Sequence, residues 1–356
     1  MKTNIAIIGA NGYIGYQLLK LLANHSEVEV KYAVDIRKDI AGTAVGLSYH
    51  SLAAAYPTLK YEDVPLDKIA KDCKIVFLAL PHATAADIGG KLYDMGVNVV
   101  DLSADFRYDN IPLYEQTYNI KHPRKDINPK AVYGLVEIYR DKIKALAKDK
   151  KNPALIGNPG CYTTSCILPL YPLLKNKLIK ADTITIDAKS GVSGAGRRSE
   201  VDFGFCELDN NFKAYSVAVH RHSSEMEEKL SFGDKNFRLC FVPHLLPIKR
   251  GILSTIYADV SPEITSAQIA DCFKKAYGNE RFVKVLSEGT YPSITHVANS
   301  NTCYIGYKLD TRTRKLIIIS CLDNLIKGAA GQAIQNMNII LGIDEATGLP
   351  VAGEHL

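Results

Sequence analysis

Three stretches of the 356-residue sequence place chemically useful side chains where a backbone turn would present them. In Asn158-Pro159-Gly160-Cys161-Tyr162-Thr163-Thr164-Ser165 a cysteine follows a Pro-Gly turn. Leu155 and Ile156 before it read as a strand end, and the apolar residues after it read as a helix interrupted or bent at Pro169. Cys161 then stands at a helix N-terminus, whose positive dipole end favours thiolate over thiol. An ordinary cysteine, with a pKa near 8.5, is only about 3% ionised at pH 7, so each unit of depression multiplies the nucleophile several-fold. The plainer role of a buried structural thiol falls to Cys166.

The second stretch is His220-Arg221-His222. Acyl transfer to a thiol requires a group that takes and returns protons near neutral pH, and imidazole is the usual choice. His222 is the favoured base, with His220 as the alternative. Ser224 and Glu227 have capping-box spacing, which puts both histidines just before a helix. Glu225 can orient His222 across the turn or can simply stabilise the helix dipole. Two histidines one residue apart can also hold a metal, but no third ligand accompanies them and the cysteines lack zinc-site spacing, so no metal is expected.

The third stretch is a glycine turn. Gly9, Gly12 and Gly15 form G-x-x-G-x-x-G, with Asn11, Tyr13 and Ile14 between them, after a β-branched run and before residues at helical spacing. In that context the pattern is a variant of the dinucleotide fingerprint: a tight turn, close backbone approach to a pyrophosphate, and close helix packing. The free N–H groups at the helix start add an anion site. Asp35, at the end of the next strand, suits the ribose hydroxyls of NAD, whereas Arg37 suits the 2′-phosphate of NADP.

The elements that position these groups follow from periodicity. Residues 3 to 9 read as a strand buried on both faces, Tyr13 to Leu22 as a helix and Val28 to Asp35 as a second strand, so a parallel β-α-β unit opens the chain. Lys74 to Leu80, Ala83 to Met95 and Val97 to Asp101 continue the alternation of a doubly wound Rossmann sheet. Residues 106 to 128 are polar, rich in Tyr and Pro and without period, and read as loops bordering a cleft. From about Asp182 the strands follow one another without a helix each time: Thr183 to Asp187, Leu239 to Pro243, Gly251 to Val260, Thr302 to Leu309 and Lys315 to Ser320. That texture implies a mostly antiparallel sheet in a second, α+β domain. Gly328 to Leu341 has an apolar helical stripe that can return to the first domain. The expected division is residues 1–157 with 325–356, and 158–324.

Composition sets the class. At 47% hydrophobic and 23% charged the chain can fold from end to end. Its formal charge of +5 is spread without a basic arm, which argues against nucleic acid but suits phosphates and carboxylates. The opening apolar run is too short for a signal peptide or a membrane span, and none of the eight cysteines forms a Cys-x-x-Cys pair, so a cytoplasmic protein with reduced thiols is expected.

In order along the whole chain, the sequence resembles the N-acetyl-γ-glutamyl-phosphate reductases, relatives of aspartate-semialdehyde dehydrogenase and glyceraldehyde-phosphate dehydrogenase. The residues that carry the likeness are 9–15, Ala79-Leu80-Pro81-His82, Asp101 to Arg107, Tyr133-Gly134-Leu135 with Glu137, Gly157 to Tyr162, Ser190 to Arg197, His220-Arg221-His222, and Asp323 to Gln332. The resemblance implies a Rossmann domain joined to a catalytic and oligomerisation domain of the semialdehyde-dehydrogenase type. It implies reduction of N-acetyl-γ-glutamyl phosphate to the 5-semialdehyde in arginine biosynthesis by NADPH, through a Cys161 thioester with His222 as acid/base. Pro81 and His82 would border the cofactor and Asn324 would sit near the nicotinamide. Arg107, Lys189, Arg197, His220 and Arg221 are the implied contacts to phosphate and carboxylate. The family pattern has a Ser-Arg segment where this chain has Asp35-Ile36-Arg37, so Arg37 matches and Asp35 departs. The resemblance further implies a homodimer or homotetramer. The alternatives are a related reductase of aspartyl or aminoadipyl phosphate, and a non-catalytic dinucleotide-binding regulator.

Overall fold

A computed structural model of the chain describes residues 2–35, 37–197 and 200–354. It contains two compact units, residues 1–159 with 329–349, and residues 160–328 with 350–356. Residues 350–354 join the second unit rather than the first. They are held there by Asn301 N–H on the Pro350 carbonyl (2.7 Å), Thr302 Oγ1 on the Val351 carbonyl (2.9 Å) and Glu354 N–H on the Ala298 carbonyl (2.9 Å).

The first unit is built on seven strands: β1 (Thr3–Ile8), β2 (Val28–Val34), β3 (Tyr61–Glu62), β4 (Ile75–Leu78), β5 (Asn98–Asp101), β6 (Val132–Tyr133) and β7 (Leu155–Gly157). All pair in parallel in the order β3-β2-β1-β4-β5-β7-β6. Ile5, Ile7, Ile75, Val76 and Phe77 are inaccessible to solvent, as expected of strands covered on both faces. β1 lies between β2 and β4, so its C-terminal end is the point where strand order reverses, the usual ligand crevice of open α/β sheets.

Two segments of this unit depart from the sequence reading. Within 106–128 a helix forms at Ile111–Tyr118, started by the Asn110 side chain accepting from Leu113 N–H and by Pro112 in the first turn. Its packing is aromatic, Tyr114 against Tyr108 and Tyr118, and that composition hid the period. The C-terminal helix Gly331–Ile340 has no solvent face at all. The amide nitrogens of its buried polar residues are paired: Gln332 and Asn336 donate to the Gly134 carbonyl (2.8 Å each), and Asn338 donates to the Glu345 and Thr347 carbonyls while its Oδ1 accepts from His25.

The second unit carries β8 (Thr185–Gly191), β9 (Lys213–Ala214), β10 (Cys240–Leu246), β11 (Ile252–Asp259), β12 (Val283–Val285), β13 (Cys303–Asp310) and β14 (Lys315–Leu322). They form one mixed sheet in the order β12-β13-β14-β11-β8-β10-β9, parallel at β8–β10 and β12–β13 and antiparallel elsewhere. β11 alternates strictly between buried and half-buried residues, the mark of a sheet covered on one face. The covering helix is Cys161–Lys175, where Ser165 Oγ meets Ser254 Oγ of β11 at 2.8 Å. This helix runs unbroken through Pro169 and Pro172. Pro172 has no N–H for the Leu168 carbonyl, and the Tyr277 hydroxyl donates to that carbonyl instead, at 2.5 Å. Among the described residues no helix is long and apolar enough to cross a membrane.

Candidate active site

Cys161 is the first residue of its helix, and Gly160 is the N-cap. The thiol is half-buried, unlike Cys166, which is fully buried and whose pKa burial pushes up to about 11. The helix His222–Leu230 lies beside it. His222 is in that helix's first turn, not ahead of it, because the helix begins two residues before the proposed cap. Ser224 therefore sits inside the helix, its hydroxyl donating to the Arg221 carbonyl at 3.0 Å, and Glu227 accepts from Leu239 N–H, so the capping box does not form.

The closeness of His222 to the cysteine turn is fixed by the missing side chain at 160. A Cβ on Gly160 would stand 2.5 Å from His222 Nε2 and 2.8 Å from its Cε1. A Cβ on Gly328 would meet the Cys161 Cβ at 2.7 Å. Glycine at both positions lets the backbone close around the sulfur. Glu225, one turn on from His222, is fully buried and accepts from Gly160 N–H (3.1 Å) and Thr163 Oγ1 (3.0 Å). Its carboxylate ties the histidine helix to the cysteine turn and occupies part of the positive helix end that favours the thiolate.

His220 differs from its neighbour. Its Nδ1 accepts His222 N–H at 3.1 Å, and its ring packs edge-on against Tyr162, Tyr215 and Phe241. Burial, aided by the Arg221 charge, lowers its pKa to about 4. An imidazole that weakly basic does not hold a proton near pH 7.

Cys161, His220, Arg221 and His222 share a cleft of about 520 Å³ within the second unit. Lys189 does not reach it. Along β8 successive side chains alternate faces; Ser190 lines the cleft, so Lys189 projects from the other side of the sheet, where its Nζ pairs with Asp187 at 2.7 Å. Arg197 is exposed on the turn after Val192–Ala195 and is not among the residues lining the cleft. Arg107 belongs to the first unit, where it is buried with its Nε on the Asn158 carbonyl (2.6 Å) and one NH2 on the Leu102 carbonyl (2.9 Å). The sequence reading missed Tyr162, Ser190, Lys213 and Tyr215, all of which line the cleft. Alternation along β8 and β10 was the signal for Ser190, but a two-residue strand such as β9 leaves no period to read.

In the first unit, Gly9 ends β1 at φ +88°, with a hypothetical Cβ 2.2 Å from the Ala79 carbonyl oxygen, so no side chain is tolerated. Gly15 would likewise strike the Ala10 carbonyl at 2.4 Å, which lets the helix Tyr13–Leu22 pack on the turn. Gly12 is the helix N-cap without a side-chain cap, and its only neighbour within reach of a Cβ is the Gly9 carbonyl at 3.7 Å. Tyr13 is exposed and Ile14 half-buried, while Asn11 donates its N–H to Asp35 Oδ2 at 3.3 Å. The other Asp35 oxygen accepts both Arg37 N–H (3.0 Å) and Arg37 Nε (3.2 Å). Pro81 is exposed, and His82 Nδ1 accepts Ala104 N–H at 3.1 Å. Asn324, in the second unit, accepts Gly251 N–H at 2.7 Å and donates to Ser193 Oγ at 3.0 Å, holding the loop after β8.

Comparison with known proteins gives this geometry a family. Residues 4–146 match the semialdehyde dehydrogenase NAD binding domain, and residues 161–324 the semialdehyde dehydrogenase dimerisation domain. Proteins named N-acetyl-gamma-glutamyl-phosphate reductase from Caldicellulosiruptor saccharolyticus and Caldicellulosiruptor bescii are 45% and 46% identical, each alignment covering 98% of both chains. The chain belongs to the N-acetyl-gamma-glutamyl-phosphate reductase family. The structure of aspartate semialdehyde dehydrogenase II from Vibrio cholerae superposes with a TM-score of 0.71 at 15% identity, covering 96% of this chain and 99% of that one, and shows the shared fold.

A member of this reductase family uses a nicotinamide cofactor, NADP(H), and the residues of the first unit fit one. The glycine turn leaves uncapped helix N–H groups for a pyrophosphate. Asp35, the residue that departs from the reductase pattern, has its charge engaged by Arg37 and by the Asn11 amide instead of standing open to repel a 2′-phosphate. Because Asp35 takes only Nε, the terminal nitrogens of Arg37 have no protein partner among the described residues.

Proposed function

We propose that the chain reduces N-acetyl-γ-glutamyl phosphate to N-acetylglutamate 5-semialdehyde with NADPH, releasing phosphate, and that Cys161 carries the acyl group as a thioester. The observation that carries this reading is a half-buried thiol at a helix N-terminus, with an imidazole packed against the glycine that precedes it.

In the reaction the Cys161 thiolate attacks the γ-acyl carbon while N–H groups of the helix start bear the oxyanion charge. The carbonyl re-forms, phosphate leaves with the bonding electron pair, and a thioester remains. Bound NADPH supplies the hydride that reduces the thioester carbon. Collapse of the resulting thiohemiacetal expels the Cys161 thiolate and frees the aldehyde. His222 takes and returns the proton. His220 is unsuited to that task, since an imidazole whose pKa burial lowers to about 4 is too weak a base to hold the proton near pH 7, and its Nδ1 is occupied by the His222 amide. Arg221, an exposed cation that lines the cleft, is our choice for the leaving phosphate.

Eight cysteines without a disulfide among them suit the cytosol as the site of reaction. The match to a dimerisation domain supports a homo-oligomer, a dimer or a tetramer. The test is phosphate-dependent oxidation of N-acetylglutamate semialdehyde, run separately with NADP and NAD and beside aspartate semialdehyde. Phosphate-dependent turnover with NADP on the acetylated substrate is expected. Turnover on aspartate semialdehyde alone would assign the related reaction, and cofactor binding without turnover would make the chain a regulator.

A further inference from the structure

We infer that Lys213 is the specificity-determining residue that binds the substrate's α-carboxylate. The inference rests on the acyl-phosphate reductase reading above and adds the part of the site that recognises the non-reacting end of the substrate.

β9 pairs antiparallel with β10, placing Lys213 opposite Leu245, and β10 pairs in parallel with β8, placing Leu245 opposite Ser190. Residues directly opposite on neighbouring strands share a face of the sheet. Ser190, Leu245 and Lys213 are therefore one row across three strands, and all three line the Cys161 cleft. The partners one residue away, Lys189, His244 and Ala214, fall on the opposite face, where Asp187 pairs with both Lys189 and His244. Strand alternation thus sends one lysine into the cleft and removes the other from it.

Lys213 is half-buried, yet among the described residues no carboxylate or carbonyl takes its ammonium. Asp202, which also lines the cleft, is exposed and makes no ion pair with it. A partly desolvated cation kept without a counter-charge, in a cleft that holds a nucleophile, is complementary to an anion on the ligand.

The substrate carries two such anions, separated by its short carbon chain. The phosphate is bonded to the carbon that Cys161 attacks, so it must lie at the histidine turn, where Arg221 is the neighbouring cation. The α-carboxylate lies beyond three further chain carbons. Lys213 lines the same cleft on the sheet, two strand spacings or roughly 9.5 Å across from Ser190, and its flexible stem lets the charge reach along the cleft. A point charge on a flexible stem suits a carboxylate that needs holding but no reaction.

The test uses the full-length enzyme in the phosphate-dependent direction, with Lys213→Met, which keeps the apolar stem, and Lys213→Arg, which keeps the charge. Lys213→Met is expected to raise KM for N-acetylglutamate semialdehyde by about ten- to a hundred-fold, the usual worth of a hydrogen bond to a charged group. KM for inorganic phosphate and the melting temperature should stay unchanged, and Lys213→Arg should recover most of the loss. With 4-acetamidobutanal, which lacks the α-carboxylate, wild type and Lys213→Met should be equal. A rise in KM for phosphate, an equal loss on 4-acetamidobutanal, or no change with either substrate would each overturn the assignment while leaving the reductase reading intact. A wild-type enzyme inactive on the semialdehyde would overturn both.

Discussion

Replacing Gly160 by alanine isolates the Cys161–His222 geometry from every other property of the site. The backbone at Gly160 has φ −70° and ψ 156°, open to any residue, so alanine introduces no backbone strain. What it introduces is one methyl carbon 2.5 Å from His222 Nε2 and 3.0 Å from its Cδ2. Non-bonded carbon and nitrogen need about 3.5 Å, so the imidazole must retreat by about 1 Å. A displacement of that size between reacting groups costs about a hundred-fold in rate, or about 2.7 kcal/mol in the barrier. Alanine is also a poorer N-cap than glycine, by up to about 1 kcal/mol, which should lower the melting temperature by only a few degrees. The assay is kcat/KM for phosphate-dependent semialdehyde oxidation, with NADP affinity measured by fluorescence titration. The expected result is a loss of about a hundred-fold in kcat/KM with NADP affinity intact. Activity within two-fold or so of wild type would refute the role given to His222, because the imidazole would have moved without consequence.

Two further outcomes follow from charges the structure places. His220 has its folded pKa lowered to about 4 by burial, below the 6.5 of the unfolded chain. The unfolded chain therefore takes up a proton first as pH falls; stability is complete above about pH 6.5 and declines down to about pH 4, by on the order of 1 to 3 kcal/mol. Urea unfolding of wild type and His220→Gln across that window should show a flatter curve for the variant, and parallel curves would contradict the burial argument. Arg37→Ala should lower the preference for NADP over NAD, measured as the ratio of kcat/KM, by about ten-fold or more, since it also uncovers the Asp35 charge. An unchanged ratio would remove Arg37 from the 2′-phosphate site.

What the sequence could disclose follows from what is local. The glycine turn after β1, the strand alternation of the first unit and the placement of Cys161 at a helix start are all set by residues within a few positions of one another, and periodicity carries that information. The destination of a charged side chain is not local. Lys189 and Lys213 differ in function because strand register sends them to opposite faces of one sheet, and register is fixed by pairing between segments some 30 to 60 residues apart. Sequence offers Glu225 only local roles, orienting His222 or stabilising the helix dipole, but its Oε1 accepts from Gly160 and Thr163, more than 60 residues earlier. The helix Gly331–Ile340 carried an apolar stripe and four amide side chains, and amides ordinarily mark a wet face. Here each amide nitrogen finds a protein acceptor, which only the folded chain reveals.

The thioester on Cys161 is tested most directly by mixing the enzyme with N-acetylglutamate semialdehyde and NADP while phosphate is withheld. Oxidation then has no acceptor for the acyl group, so intact-mass and peptide analysis should find N-acetylglutamyl on Cys161, released on adding phosphate and absent in Cys161→Ser. An unmodified Cys161 in an enzyme that turns over when phosphate is supplied, or continued turnover by Cys161→Ser, would contradict the covalent route.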